Sequence, residues 1–551
     1  MAAVLPKATA DGIALAGPIF DHSKIAIVDD IVRLGVPPGN PFFGETGTPS
    51  RLSYYYLWHF SAAELALLTG GNGWAADAGL TWFTTFAALG LMAALALWLS
   101  GSAASMLWVV ALAATGSARP ILDAFAGSDS VERWAGDRSG FGGFLFQSSW
   151  APQHLAAAVC AILAALALVR LAQRPNLPSL LTAGLVMTAG YESSVWVGGI
   201  TFALAGALIG PLLLMVAAPG LRLRTALWLA GAAGLALALA SPLLYDQSAS
   251  AARHGVHSPV ILSPQSVIGF DWPDGIVRLL DLPAYWLTFL PVELPAFYVT
   301  GAVAIVVSLK YGQPKSDDET IVPVLAVLTA VSLCVGWLLV STLGENNDLG
   351  WRGVLPAVML LIVFASAGFT RVVQKPFSVT AVAMLIWLAL GVPDGTRTIY
   401  TNIVAGSVPS SKAFSASEAM WQAVRRHSGP ADRIAINPYF LADLTPWPID
   451  IAWAVLSDRR SCYAGPGYAP FIPKPQAVVD AIDAQFARVF DGKSTADDIA
   501  ELAVRYRCDL AVVTPSDAAW RADPFAANPL YRLAEESTGW RIYKHNQPPP
   551  R

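Results

Sequence analysis

The chain has 551 residues, 55% of them hydrophobic and only 13% charged, with a formal net charge of −4. A soluble protein carries about a quarter charged residues, so this balance excludes an ordinary water-soluble enzyme and indicates an integral membrane protein. There is no basic run or patch, which speaks against a nucleic-acid partner.

In chain order, the first dense stretch is Asp21 to Phe60. It holds Asp29 and Asp30, Lys24 and Arg33, His22 and His59, the turn-rich PPGNP and the triple tyrosine Tyr54, Tyr55 and Tyr56. Residues 1–75 are expected to form an extracytoplasmic loop with surface helices. Asp29, Asp30 and Arg33 stand at helical spacing and suit a solvated helix face. The tyrosines and Trp58 suit either an interfacial aromatic belt or a wall against a substrate.

Residues 76–392 are expected to form a transmembrane helical domain of about 10 spans. Apolar runs lie near 76–100, 104–118, 152–172, 178–190, 195–217, 224–242, 292–310, 321–342, 353–369 and 378–392. Several are shorter than the roughly 20 residues of a straight span and suit broken helices. Basic pairs mark four short loops as cytoplasmic: Arg170 with Arg174, Arg222 with Arg224, Lys310 with Lys315, and Arg371 with Lys375. Loops 119–151, 190–194, 243–291 and 343–352 then lie outside, together with both termini. Residues 1–20 hold neither a full span nor a clean signal peptide. The expectation is therefore that a first transmembrane helix is missing, the gene start having been placed too late.

The outer loops carry the polar residues. Pro152 suits a first helical turn, which puts Gln153 and His154 at the mouth of a span. Glu192 sits in a very short link between apolar runs, where a carboxylate is costly without a partner. His254 and His257 lie in the fourth outer loop without a third ligand in view. Asp348 and Arg352 precede the span at 353–369, with Glu345 as a further acidic neighbour. Each residue also has a structural reading: a cap or packing role for His154, an interhelical hydrogen bond for Glu192, an interfacial anchor for Arg352. Their convergence on one membrane face favours function. An arginine fork grips phosphate, a carboxylate takes the proton of an attacking hydroxyl, and aromatic rings stack on sugars.

From about residue 407 charges return. RIAIN (433–437), CDLAVV (508–513) and WRIYKH (540–545) read as strands, while AVVDAIDAQFARVF and TADDIAELAVRYR have helical spacing. Residues 407–551 are expected to be a small extracytoplasmic α/β domain. Its Cys462 and Cys508 can pair in an oxidising compartment or remain buried thiols. No CxxC or HExxH spacing points to a metal; no cofactor is indicated, and a divalent metal stays an open option.

Taken together, FDHSK, PPGNPFF, YYYLWHF, WAPQH, GYESSVW and NNDLGWRGVLP resemble the GT-C-fold glycosyltransferases, polytopic enzymes that use polyprenyl-phosphate sugars. The YYY stretch is also similar to bacterial membrane proteins named for a triple tyrosine. The resemblance covers most of residues 15–370. It implies an all-α, GT-C-like membrane protein with a soluble tail, in a bacterial inner membrane and with the tail periplasmic. The implied activity is inverting transfer from a polyprenyl-phosphate sugar donor to a glycan, lipid or protein acceptor. By that resemblance Asp21 is the catalytic base. The second acidic residue of the usual pair stays open among Asp123, Asp129 and Asp137. The substrate-binding set is His22, Lys24, Tyr54, Tyr55, Tyr56, His59, Gln153, His154, Glu192, Asp348 and Arg352. The competing readings are a lipid-linked-sugar flippase, which needs charges in mid-span or inverted repeats that the sequence lacks, and a non-catalytic envelope assembly protein.

Overall fold

The computed structural model describes residues 3–10, 12–16, 22–47, 51–138, 141, 143–255, 258–311, 319–342, 347–373, 378–404, 409–444 and 450–546. The chain forms two compact units, one of residues 1–80, 246–257 and 401–551, the other of 81–245 and 258–400.

The second unit is helical. Among the described residues, eight helices of the chain are long and apolar enough to cross a membrane, and two shorter apolar helices, Ala104–Ala113 and Tyr298–Tyr311, join them. Leu355–Val373 is the axis of this unit. Leu360, Leu361, Ile362, Val363, Phe364 and Ala365 are all fully buried, as expected of a helix that is apolar all round. Its neighbour Tyr298–Tyr311 comes close because residue 301 is glycine: a Cβ there would lie 2.6 Å from the Leu361 carbonyl oxygen. Small residues serve this close approach in membranes, where packing rather than water drives helix association.

Two boundaries differ from the sequence reading. The span expected to stop at 242 continues through Pro242 as the helix Arg222–His254. Proline removes only one intrahelical bond, and the Ala- and Leu-rich flanks carry the helix past it. The loop expected at 243–291 also contains the helix Asp274–Ala284 and a π-helical turn Tyr285–Phe289. Asp274, Arg278, Asp281 and Pro283 interrupt the apolar pattern there, yet Asp274–Glu293 is among the eight helices long and apolar enough to cross a membrane. Strand β3 (Val260–Leu262) pairs antiparallel with β4 (Leu339–Ser341), the Tyr285 hydroxyl donates to the Leu333 carbonyl, and the Val292 carbonyl accepts from Ala118 N–H.

In the first unit, β1 (Lys7–Thr9) and β2 (Gly12–Ala14) form a small hairpin, and Ser411 and Ser415 donate to the carbonyls of Leu15 and Ile13. The tail folds as an α/β domain around a five-stranded sheet of order β6-β5-β7-β9-β8. These strands are β5 (Arg433–Ala435), β6 (Arg460–Ser461), β7 (Leu510–Val513), β8 (Tyr531–Glu536) and β9 (Arg541–His545). β5 runs parallel to β6 and β7; β9 is antiparallel to β7 and β8. The expected helices are present as Gln476–Phe490 and Ala496–Val504, the latter opened by a Thr495–Asp498 capping box. The PFF segment docks on this domain. Ser461 N–H and Ala464 N–H donate to the carbonyls of Pro41 and Phe42, and Gly44 N–H donates to Cys462 O.

Cys462 and Cys508 are bonded, with Cα atoms 5.6 Å apart. The bridge ties the β6 edge to the start of β7. Closing a 46-residue separation is expected to stabilise the domain by ~2–4 kcal/mol. Alkylation of the denatured, unreduced protein should leave both cysteines unmodified, and mass spectrometry showing both labelled would refute the bond.

Candidate functional site

The residues singled out in the sequence fall in both units; Asp21, Glu345 and His257 lie outside the described residues.

In the helical unit, Asn347 caps the short helix Asp348–Gly353 by accepting from Gly350 N–H. That cap fixes Arg352 one turn on, just before Leu355–Val373. Arg352 Nη1 donates to Gln147 Oε1 at 2.7 Å. Gln147 is itself held by donating to the Phe141 and Trp351 carbonyls. Asp348 Oδ1 stands 3.8 Å from Arg352 Nε, a distance for charge attraction rather than a hydrogen bond. Arg352 Nε has no hydrogen-bond partner among the described residues. The guanidinium is therefore oriented by a neutral amide, and among the described residues its charge is balanced only loosely, by Asp348.

Pro152 opens the helix Pro152–Gln173 as expected. It buries Gln153 and His154 at 6% and 3% exposure. His154 Nδ1 lies 2.8 Å from Ser194 Oγ, and Ser194 caps the next helical segment by accepting from Val197 N–H. Gln153 Oε1 has no hydrogen-bond partner among the described residues. Glu192 is half-buried in the last turn of Leu177–Ser193. Two glycines bring this link tight, since a Cβ on Gly198 would fall 2.0 Å from the Gly190 carbonyl carbon. Of the three acidic alternatives, Asp123 pairs with Arg138 at 2.9 Å, Asp137 offers its carbonyl to Arg119, and Asp129 sits in the first turn of Ser128–Ala135.

In the other unit, the largely buried helix Ser23–Leu34 and the helix Leu57–Thr69 hold a second cluster. Lys24 Nζ is 3.8 Å from Asp77 Oδ1, both nearly inaccessible. His22 donates to the Ala16 carbonyl at 3.0 Å. Burial pushes the pKa of both His22 and His59 down to about 3, with Lys24 adding to the effect, so both rings are neutral. Tyr54 stacks on Tyr55 at 3.9 Å and meets His59 and Phe471 edge-on at 5.7 and 5.3 Å. Tyr56 is half-buried just before Leu57. The aromatic residues thus form a wall within this unit.

Asp29, Asp30 and Arg33 do not form a solvated face. Asp30 is fully buried, with Arg460 Nε 2.9 Å away and Arg33 Nη1 at 3.8 Å. Arg33 also reaches Asp458, and Asp29 accepts from Gly73 N–H at 2.9 Å. Helical spacing identified the shared face, but the cations that cover it come from the tail. Burial, reinforced by Asp458, raises the Asp29 pKa to about 7. Burial likewise raises Asp450 to about 7 and Asp509 to about 6.

A carboxyl that ionises near 3.9 when unfolded and near 7 when folded binds more protons in the native state between those values. Its stabilising contribution is complete below about pH 4 and is lost as pH rises through 7. The buried histidines act in the opposite sense, so the test is a difference: from pH 4.5 to 7.5 the unfolding midpoint of wild type should fall relative to that of Asp29→Asn. A difference that does not fall over that window would contradict this.

Sequence reasoning missed Gln147 and Asp77. A lone amide in FGGFLFQSSW and a lone carboxylate opening the apolar run at 76–100 were the available signals. Among the described residues, no group of three or more His, Cys, Asp or Glu is placed to hold a metal ion.

Residues 410–544 match the Y4nK C-terminal Rossmann-like domain. The whole chain is similar to protein y4nK of Sinorhizobium fredii (strain NBRC 101917 / NGR234), at 30% identity over 565 residues, 98% of this chain and 82% of that protein. Among solved structures, ArnT from Cupriavidus metallidurans in the apo state superposes with a TM-score of 0.50 at 10% identity, over 96% of this chain and 94% of that one. The Archaeoglobus fulgidus oligosaccharyltransferase in its apo form gives a TM-score of 0.48 at 11% identity, over 91% and 66%. At such identities the likeness is one of fold: the GT-C architecture, in a multi-pass membrane protein.

Proposed function

Starting from the fact that this chain belongs to the y4nK family and carries the GT-C fold, we propose that it is an inverting glycosyltransferase. It transfers a sugar from a polyprenyl-phosphate donor to an envelope glycan, lipid or protein. The reaction takes place at the outer face of a bacterial inner membrane, with the C-terminal domain in the periplasm.

The observation that carries this reading is Arg352. A guanidinium at the start of an apolar helix, aimed by Gln147 and only loosely balanced by Asp348, is suited to a lipid-linked phosphate. In a single displacement the acceptor oxygen bonds to the anomeric carbon as its proton passes to a carboxylate, for which the sequence offers Asp21. The bond from the anomeric carbon to the phosphate oxygen breaks, and polyprenyl phosphate leaves with the electron pair. Arg352 then meets the negative charge that develops on that phosphate.

Comparing lipid-linked and envelope glycans of a deletion strain with its parent tests this. The deletion should remove one glycan decoration and leave its polyprenyl-phosphate donor to accumulate. Identical glycans and donor pools would defeat the proposal.

A further inference from the structure

The C-terminal domain carries an open groove of about 420 Å³ that the transfer reaction does not use. Its lining holds three cations, Arg426 from the end of the helix Glu418–His427, Arg532 from β8 and Lys544 from β9, with His427 and Ser428 beside them. The groove lies where this helix ends and β5 begins, away from the carboxyl ends of the parallel strands, where ligands of doubly wound sheets usually bind.

Two features are costly for the fold alone. Arg532 and Lys544 are direct cross-strand partners in the antiparallel β8–β9 ladder. Like charges directly opposite one another weaken a sheet. Lys544 has a structural task, donating to the His427 carbonyl at 2.9 Å. Arg532 has no hydrogen bond or ion pair among the described residues. The second feature is a register shift between Leu533 and Glu535. Strict alternation would put Glu535 on the face opposite Arg532. The irregularity instead lets it reach Arg426 at 2.8 Å and His427 at 2.9 Å. Bulges of this kind re-aim side chains beside functional sites. Here the carboxylate ties down the helix-borne pair, while on the strands Lys544 feels the charge of Asp509 and Arg532 has no acidic partner among the described residues.

We propose that this groove is a binding site for a phosphate ester, with Arg532 and Lys544 gripping the phosphate and Arg426 at the rim. A phosphate between Arg532 and Lys544 turns their mutual repulsion into shared attraction, and the guanidinium can donate two parallel hydrogen bonds to it. The phosphate ester comes either from a soluble phosphorylated saccharide or from a lipid headgroup.

The test uses the full chain in a phosphate-free nonionic detergent, titrated calorimetrically with glucose 1-phosphate and, as control, glucose. Glucose 1-phosphate should bind and glucose should not. Raising the salt should weaken binding, because exposed charges are screened. The double variant Arg532→Gln/Lys544→Gln should bind at least about tenfold more weakly, as expected on losing two charge-assisted contacts, with the unfolding midpoint checking that the domain stays intact. A second arm repeats the titration in nanodiscs containing phosphatidylglycerol. Binding suppressed there identifies the headgroup as the occupant, and unchanged binding identifies the soluble ester. Equal binding by wild type and the double variant, equal binding of glucose, or no binding by wild type in the phosphate-free detergent would overturn the proposal. The readout is binding, so it stands apart from whether the chain transfers sugar.

Discussion

Replacing Asp21 with asparagine is expected to lower sugar transfer by about 10²–10⁴-fold, the usual worth of a positioned general base, while donor affinity stays nearly unchanged. Asparagine keeps the size and hydrogen-bonding reach of the side chain but cannot accept the acceptor's proton. The displacement then stalls even with the donor seated. The measurement is transfer of radiolabelled sugar from polyprenyl-phosphate donor by the purified chain, with donor binding measured separately. A non-catalytic assembly protein would tolerate the change, so envelope phenotypes of the variant strain separate the two readings as well. Wild-type turnover in Asp21→Asn would move the base elsewhere. Asp123, Asp129 and Asp137 would be the next carboxylates to replace.

Arg352→Ala should cost about 10²–10³-fold in turnover, the typical loss when one donor to developing charge is removed. Arg352→Lys should be clearly impaired but less so, because lysine keeps the charge and loses the fork. The structure adds a variant that the sequence did not suggest. Gln147→Leu removes the acceptor 2.7 Å from Arg352 Nη1 and leaves the charge in place, so its effect should resemble Arg352→Lys more than Arg352→Ala. If Arg352→Ala transfers at the wild-type rate with saturating donor and unchanged donor affinity, the arginine is an interfacial anchor. The mechanism would then be wrong.

What could be read from the sequence alone is what local pattern encodes. Long apolar runs placed the chain in a membrane because each residue's transfer free energy acts where that residue stands. Alternating and helical periods in the tail marked β5, β7, β9 and the helices Gln476–Phe490 and Ala496–Val504, since each face must meet one core. Pro152 at a first turn and the concentration of polar residues in a few loops were legible for the same reason. The pattern failed where charges and prolines broke an apolar run, as in Asp274–Ala284 and beyond Pro242, because one proline or a few charges do not outweigh the helix-forming residues around them.

Tertiary structure alone decided which side chains meet. Gln147 and Arg352 are 205 positions apart, and Arg33 and Asp458 425 apart. No window of sequence holds both members of either pair. Asp29, Asp30 and Arg33 show the difference: their spacing fixed a common face, but burial beneath Arg460 and Asp458 turned a presumed solvated face into an ionic joint. Composition and periodicity report how each segment partitions between water and an apolar surround. Which segments supply one another's counter-charges and hydrogen-bond partners depends on how the closed chain packs, and no local rule carries that.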